Sequence, residues 1–290
     1  MLGKHLLGLY EKALPDDMSL PEKFGSAADM GLDYLEISID ESDKRISRLW
    51  LPEEELDALA AGIRRSGLHA RSLCLSAHRR FPLGSADART RRAALEIMRR
   101  AVRFSEALGI RIIQLAGYDV YYEPSTVESR RLFVCGLREA CREAEAHQVM
   151  LAMEIMDTEL LCSISRFMKL KEEVRSPWFT VYPDMGNLSA WDRNDVLKEL
   201  NLGIDEITAM HVKEALPESA GPDRFKRIPF GTGCVDFEGI FAHMEKLGYT
   251  GPYTIEMWDD GTGRSKEAIT KAKNFISDRF DSAMSRMSLE

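Results

Sequence analysis

The chain has 290 residues, 44% hydrophobic and 30% charged, enough to bury one large core or two small ones. No run approaches the ~18 to 20 apolar residues of a membrane span, and the apolar stretch after Met1 is too short for a signal peptide, which leaves the cytoplasm as the expected location. A net charge of -8 has the wrong sign for neutralising duplex phosphates, and 5 cysteines without a C-x-x-C pair argue against a disulfide framework or a thiolate zinc site.

Periodicity predicts a strand over His5 to Tyr10 and a helix over Ser19 to Met30, opened by a Ser N-cap with Glu22 three residues later and closed by Gly31. A second strand spans Leu32 to Ile39, followed by a helix from Pro52 to Arg65 that stops at Gly67. The third strand covers Leu68 to Ser76 and the next helix Ser85 to Leu108, ended by Gly109. Ile110 to Ala116 is the fourth strand, Pro124 to His147 a helix, and Val149 to Asp157 the fifth strand. After a helix over Ser163 to Val174 come the strand Phe179 to Asp184, a helix from Asp192 to Leu200 and the strand Ile207 to His211. A helix over Phe237 to Leu247, the strand Tyr253 to Glu256 and a helix from Ser265 to about Met284 complete the chain.

Eight alternating strand-helix units require a parallel sheet, and this length favours a closed (β/α)8 barrel of the TIM type, an α/β fold, as one domain over residues 1–290. The doubly wound alternative fits less well, because the turn Tyr10 to Pro15 lacks the glycine fingerprint of a nucleotide fold. In such barrels, function collects at the C-terminal ends of the strands. The last four strands each end there in one potential ligand: Glu154, Asp184, His211 and Glu256. A carboxylate in an apolar strand is costly unless it meets a cation, and four in succession point to one divalent metal site. Three carboxylates and one imidazole suit Mn, Zn, Co or Mg. Such an ion with open positions stabilises an enediolate, and two of its glutamates are placed to carry a proton. Side-chain alternation puts Lys213 and Trp258 one step further out, toward a substrate.

Several motifs now identify a resemblance: Gly8-Leu9-Tyr10-Glu11-Lys12-Ala13-Leu14-Pro15, Cys74 to Ser85 with His78-Arg79-Arg80 at its centre, Gln114 to Tyr122, Leu151 to Asp157, Tyr182 to Trp191, and Pro229-Phe230-Gly231. With these the sequence resembles, essentially end to end, the bacterial L-ribulose-5-phosphate 3-epimerases of L-ascorbate and related pentose utilisation, within the xylose-isomerase-like barrel superfamily. The resemblance implies that Glu154, Asp184, His211 and Glu256 bind the metal and that Glu154 and Glu256 exchange the C3 proton of a ketopentose 5-phosphate. It departs locally: the loop from Glu214 to Arg227 is longer, and Glu214 stands where Asp is usual, which bears on the choice of pentulose phosphate.

The expected partner is a small ketopentose phosphate, with neither nucleic acid nor membrane, and a homodimer as the assembly to consider. Two basic regions compete for the phosphate, His78-Arg79-Arg80 after strand three and the loop Lys213 to Gly233 after strand seven. Glu11, Glu36 and Gln114 are candidates for sugar hydroxyls, and Asn187 and Trp258 join the substrate-binding set. Three rivals remain. An endonuclease-like relative with several zinc ions is disfavoured, because only His78 and His211 of the 6 histidines fall near the catalytic end. An aldose-ketose isomerase would use similar chemistry, and a binding protein without turnover would have no need of both glutamates.

Overall fold

A computed structural model describes residues 2–289. Its eight parallel strands are β1 Leu7–Tyr10, β2 Tyr34–Ile39, β3 His69–Leu75, β4 Ile112–Leu115, β5 Met150–Glu154, β6 Phe179–Tyr182, β7 Met210–Val212 and β8 Tyr253–Ile255. They pair in the order β6-β5-β4-β3-β2-β1-β8-β7. The remaining seam, between β6 and β7, is closed by two single bridges, Val181 with Ile207 and Asp184 with His211. There the N–H of Thr208 donates to the Val181 carbonyl at 3.1 Å and that of His211 to the Pro183 carbonyl at 2.9 Å. The eight-stranded barrel expected from the alternation is present.

Ten α-helices accompany it among the described residues: α1 Leu20–Asp29, α2 Asp43–Ile46, α3 Glu53–Arg65, α4 Ala88–Leu108, α5 Val127–Ala146, α6 Ile164–Val174, α7 Met185–Ser189, α8 Val196–Gly203, α9 Phe237–Lys246 and α10 Ser265–Met287. Local chemistry sets their starts. Ser19 and Glu22 form the expected capping box of α1, while Asp87, Thr126 and Ser163 cap α4, α5 and α6. The helix expected from Asp192 begins instead at Val196, because Asn194 donates to the carbonyls of Cys162 and Leu188 and Asp195 becomes the cap. The first strand begins at Leu7, since His5 has its own buried partners, the Gly251 carbonyl and Glu245. No helix among the described residues is long and apolar enough to cross a membrane.

Strand alternation divides the molecule into two interiors. Leu7, Leu9, Leu35, Ile37, Leu73, Ile113, Leu151, Met153, Val181 and Ile255 belong to one large apolar core that joins sheet and helices. The residues between them face into the barrel, where many are polar. Tyr34 bonds Thr254 at 2.6 Å, Tyr182 bonds Thr254 at 2.8 Å and Glu36 at 3.0 Å, and Ser72 bonds Glu36 at 2.6 Å. Gly8 is needed beside this layer, because a Cβ there would run into the Tyr34 ring. A hydrogen-bonded floor therefore lies under the mouth of the barrel.

Candidate active site

β5, β6, β7 and β8 end side by side around that floor, and each presents one acid or imidazole. Ligand atoms of Glu154, Asp184, His211 and Glu256 all lie within 4.8 Å of one another, and all four residues are buried. His211 Nδ1 is the centre of the group, 3.4 Å from Glu154 Oε1, 3.5 Å from Glu256 Oε2 and 3.8 Å from Asp184 Oδ2. Asp184 is divided between two tasks. Its Oδ1 accepts the Asn187 N–H at 2.6 Å and caps α7, a short helix that the hydrophobic pattern does not reveal, while Oδ2 faces the group.

His211 Nδ1, Asp184 Oδ2 and Glu256 Oε2 are buried; the imidazole nitrogen has no hydrogen-bond partner, and the two carboxylate oxygens meet only the Lys213 ammonium. A buried polar atom without a partner is rare in folded proteins and calls for a ligand. Hard oxygens and one imidazole nitrogen converging from four strands fit a divalent cation, so the group can hold one. Charge is otherwise offset by Lys213, whose ammonium lies 2.9 Å from Glu256 Oε2 and 3.3 Å from Asp184 Oδ2. The two glutamates consequently differ. Burial, with the Glu256 charge adding to it, lifts Glu154 above the usual carboxylate range. Burial would lift Glu256 as well, but Lys213 and His211 outweigh it and hold that carboxyl down to about 2.

Above the group is a cavity lined by Tyr10, Lys12, Cys74, Ser76, Arg79, Glu154, Asn187, Lys213, Lys226, Glu256 and Trp258. Arg79 donates to the Tyr118 hydroxyl at 3.0 Å and its guanidinium lies 5.0 Å from the Tyr121 ring centre, with no carboxylate partner. Trp258 stands edge-on to Tyr10 and 5.9 Å from Lys213 Nζ. Asn187 gives its amide N–H to the Ile155 carbonyl, which leaves Oδ1 unpartnered at the cavity wall. Gln114, expected at sugar hydroxyls, is fully buried in the barrel and does not line this cavity, and neither polar atom of its side chain has a hydrogen-bond partner.

Other sequence candidates are not brought to this cavity. His78 turns toward α4 and meets the Ala94 carbonyl at 3.2 Å, and burial lowers its pKa from 6.5 to about 4. Arg80 pairs with Asp43 at the surface, 2.6 Å away. Glu11 is fully buried among Arg45, Arg48 and Lys23 and accepts the Ser38 N–H at 2.7 Å, so it ties the loops after β1 and β2 together. Glu36 lies below the acidic group rather than among sugar contacts. Lys226 comes from the strand-seven loop that the sequence offers for the phosphate; Lys12 was not singled out, although extending the inward face of Gly8 and Tyr10 by two residues reaches it. A second cavity shares Lys213, Glu256 and Trp258 and continues between Arg227, Phe230, Ser265 and Lys271. In the long loop between β7 and α9, Glu214 accepts the N–H groups of Gly231 at 2.8 Å and Val235 at 3.2 Å.

The sequence matches the family described as xylose isomerase-like TIM barrel over residues 24–278. It is 50% identical over 97% of its length to 99% of SgbU from Escherichia coli K12, which carries the L-ribulose-5-phosphate 3-epimerase name provisionally. It is 48% identical, over 98% of each chain, to the L-ribulose-5-phosphate 3-epimerase UlaE of Escherichia coli (strain K12 / DH10B). Among solved structures, an L-ribulose 3-epimerase superposes with a TM-score of 0.77 at 19% identity, covering 98% of this chain and 97% of the other. A D-allulose 3-epimerase from Methylomonas sp., in complex with D-allulose, gives 0.76 at 23% identity over 95% of this chain and 97% of the other, a likeness of fold. The chain belongs to the xylose isomerase-like TIM barrel family and, within it, to the L-ribulose-5-phosphate 3-epimerases, sugar-phosphate epimerases of the isomerase class.

Proposed function

We propose that this protein inverts C3 of a ketopentose 5-phosphate, interconverting L-xylulose 5-phosphate and L-ribulose 5-phosphate, with one divalent ion (Mn, Zn, Co or Mg) held by Glu154, Asp184, His211 and Glu256. The observation that carries the reading is the convergence of four buried ligand atoms within 4.8 Å, with His211 Nδ1 unpartnered and only the Lys213 ammonium beside Asp184 Oδ2 and Glu256 Oε2. A divalent ion bound there supplies Lewis acidity, polarising a carbonyl and stabilising negative charge on oxygen.

The chain's own residues do the rest. Inversion requires the C3 proton to leave one face of a planar enediolate and another to arrive from the opposite face. Glu154 ends β5 and Glu256 follows β8, three strands round the barrel, so they flank the cavity from different sides. One takes the proton as the C3–H bond breaks, its electron pair enters the C2–C3 bond and the C2 carbonyl π pair moves onto oxygen; the carbonyl re-forms as the other returns a proton to the opposite face of C3. Each is base in one direction and acid in the other. Lys213 lies against Glu256 and keeps that carboxylate ionised. Arg79, which like Lys226 lines the cavity with no acidic partner among the described residues, holds the phosphate, while Asn187 Oδ1 takes a sugar hydroxyl. Trp258 covers the apolar face of the sugar. A phosphorylated sugar cannot leave the cytoplasm by diffusion, which places the enzyme there with its substrate.

The test is turnover of L-xylulose 5-phosphate in heavy water, with deuterium located by NMR. Label at C3 of both epimers is expected. Label at C1 would instead favour aldose-ketose isomerisation, and no label in the presence of tight sugar-phosphate binding would make this a binding protein.

A further inference from the structure

Below the four candidate ligands, Glu36 is completely buried and contacts none of the cavity's open space. Its carboxylate accepts three hydrogen bonds: His211 Nε2 at 2.7 Å on Oε1, and Ser72 Oγ at 2.6 Å and the Tyr182 hydroxyl at 3.0 Å on Oε2. The Ser72 and Tyr182 hydroxyls both donate to Oε2, which leaves Oε1 to accept from His211 Nε2. Nε2 of His211 therefore carries its proton, and in the neutral ring Nδ1 is left with a lone pair. Nδ1 is the atom that faces Glu154, Asp184 and Glu256 and has no partner of its own.

The backbone is arranged to deliver this contact. β2 and β3 pair Leu35 with Ala70, then shift register so that Glu36 lies beside Ser72, with Arg71 passed over. Without that bulge Arg71 would stand next to Glu36 and Ser72 would point to the other face. Arg71 is exposed, whereas Ser72 is buried against the carboxylate. Tyr182, on β6, is held from its other side by Thr254 on β8. Residues from four strands thus fix one carboxylate beneath one imidazole.

We propose that Glu36 is a positioning residue for the metal centre: it fixes the Nε2-protonated tautomer of His211, aims Nδ1 at the ion and, through its negative charge, strengthens that nitrogen as a ligand. The inference rests on the metal site proposed above and not on the sugar. Carboxylate partners of metal-bound histidines typically contribute 10- to 100-fold in metal affinity.

The experiment uses metal ions alone on chelator-stripped full-length protein. Free Mn2+ followed by electron paramagnetic resonance should show the Kd of Glu36→Gln raised about 10- to 100-fold over wild type. Ser72→Ala and Tyr182→Phe, which leave Oε1 on His211, should change it far less. In wild-type protein labelled with 15N-histidine and loaded with Zn2+, long-range proton-nitrogen spectra should show Nε2 protonated and Nδ1 without a proton, with His211 assigned by its loss in His211→Gln. Wild-type Kd in Glu36→Gln, equal weakening by all three substitutions, or a proton on Nδ1 would overturn the role of Glu36. Should Glu36→Gln fail to fold, the wild-type spectrum decides alone. A wild-type protein that takes up neither ion overturns the metal reading and this inference together.

Discussion

Arg79→Ala tests the proposed phosphate contact separately from the rest of the site. Arg79 has five N–H donors. Nε is committed to the Tyr118 hydroxyl, and the guanidinium rests over Tyr121, which holds the remaining donors in a fixed plane at the cavity wall. No carboxylate competes for them, unlike the donors of Lys213, which are shared by Asp184 and Glu256. A hydrogen bond to a charged group contributes about 1.5 to 3 kcal/mol, so losing one should lower kcat/KM for the phosphate ester by about 10- to 150-fold. The same substitution also removes the cation from Tyr118 and Tyr121, and that loss falls equally on any substrate. The assay is therefore a ratio: kcat/KM for L-xylulose 5-phosphate over that for L-xylulose, in wild type and variant. The ratio should fall by that factor in Arg79→Ala. In Lys213→Ala both substrates should suffer alike, because the residue acts on Glu256. Equal losses for both sugars in Arg79→Ala would show that its job is to brace the two tyrosines, and the phosphate would have to be sought in the cavity beside Arg227 and Lys271.

Glu154→Gln and Glu256→Gln should each lower epimerisation by ~10² to 10⁴-fold while one epimer still exchanges its C3 proton in heavy water; near wild-type interconversion in both variants would refute the two-glutamate mechanism. Stripping the protein with a chelator should abolish turnover, with recovery on adding Mn2+ or Co2+, and full activity in metal-free protein would refute the ion's role. At Gly233 a Cβ would strike the Ala215 carbonyl and the Glu214 carboxylate, so Gly233→Ala should cost about 1 to 3 kcal/mol by denaturant unfolding, as overpacking does. His78 is buried neutral, so its contribution is present above its ordinary pKa of 6.5 and is lost as pH falls toward about 4. Wild type should lose about 3 kcal/mol more than His78→Gln between pH 7 and pH 4, and parallel losses would show that His78 takes up its proton freely in the folded state.

The barrel was legible because its signals are local and repeated. Most strands show an apolar run, several of them introduced by a glycine (Gly31, Gly67, Gly109 and Gly251), and the alternation with helices follows from period. The four candidate ligands were legible for a related reason, since a carboxylate or imidazole at the end of an apolar strand contradicts its surroundings. The short helix after Asp184 was not, because five residues carry no amphipathic period; it is organised by a single cap. His78 and Arg80 were misplaced by adjacency. Three consecutive polar residues after a strand look like one basic patch, but in the 3-10 turn Ala77–Arg79 and just beyond it they diverge, His78 toward α4, Arg79 into the cavity and Arg80 to Asp43.

Glu11 and Glu36 show the deeper limit. Both lie at or near a strand end, both are acidic, and sequence treats them alike as candidates for sugar hydroxyls. The structure separates them by what each one accepts. Glu11 takes guanidinium and ammonium donors from Arg45, Arg48 and Lys23, and those cations outweigh burial to lower its pKa. Its carboxylate is saturated by the loops it joins. Glu36 instead takes uncharged donors from β3 and β6 and an imidazole from β7, brought within reach by a one-residue register shift. That shift leaves no mark in composition or period, since Arg71 and Ser72 are both ordinary strand residues. Parity then decides which of the two faces the barrel, and so whether Glu36 meets a serine hydroxyl or a guanidinium there. A candidate metal centre can therefore announce its four residues in sequence while hiding the carboxylate that bonds one of them. The ligands are exceptions to their own strands, whereas the support depends on how neighbouring strands are aligned.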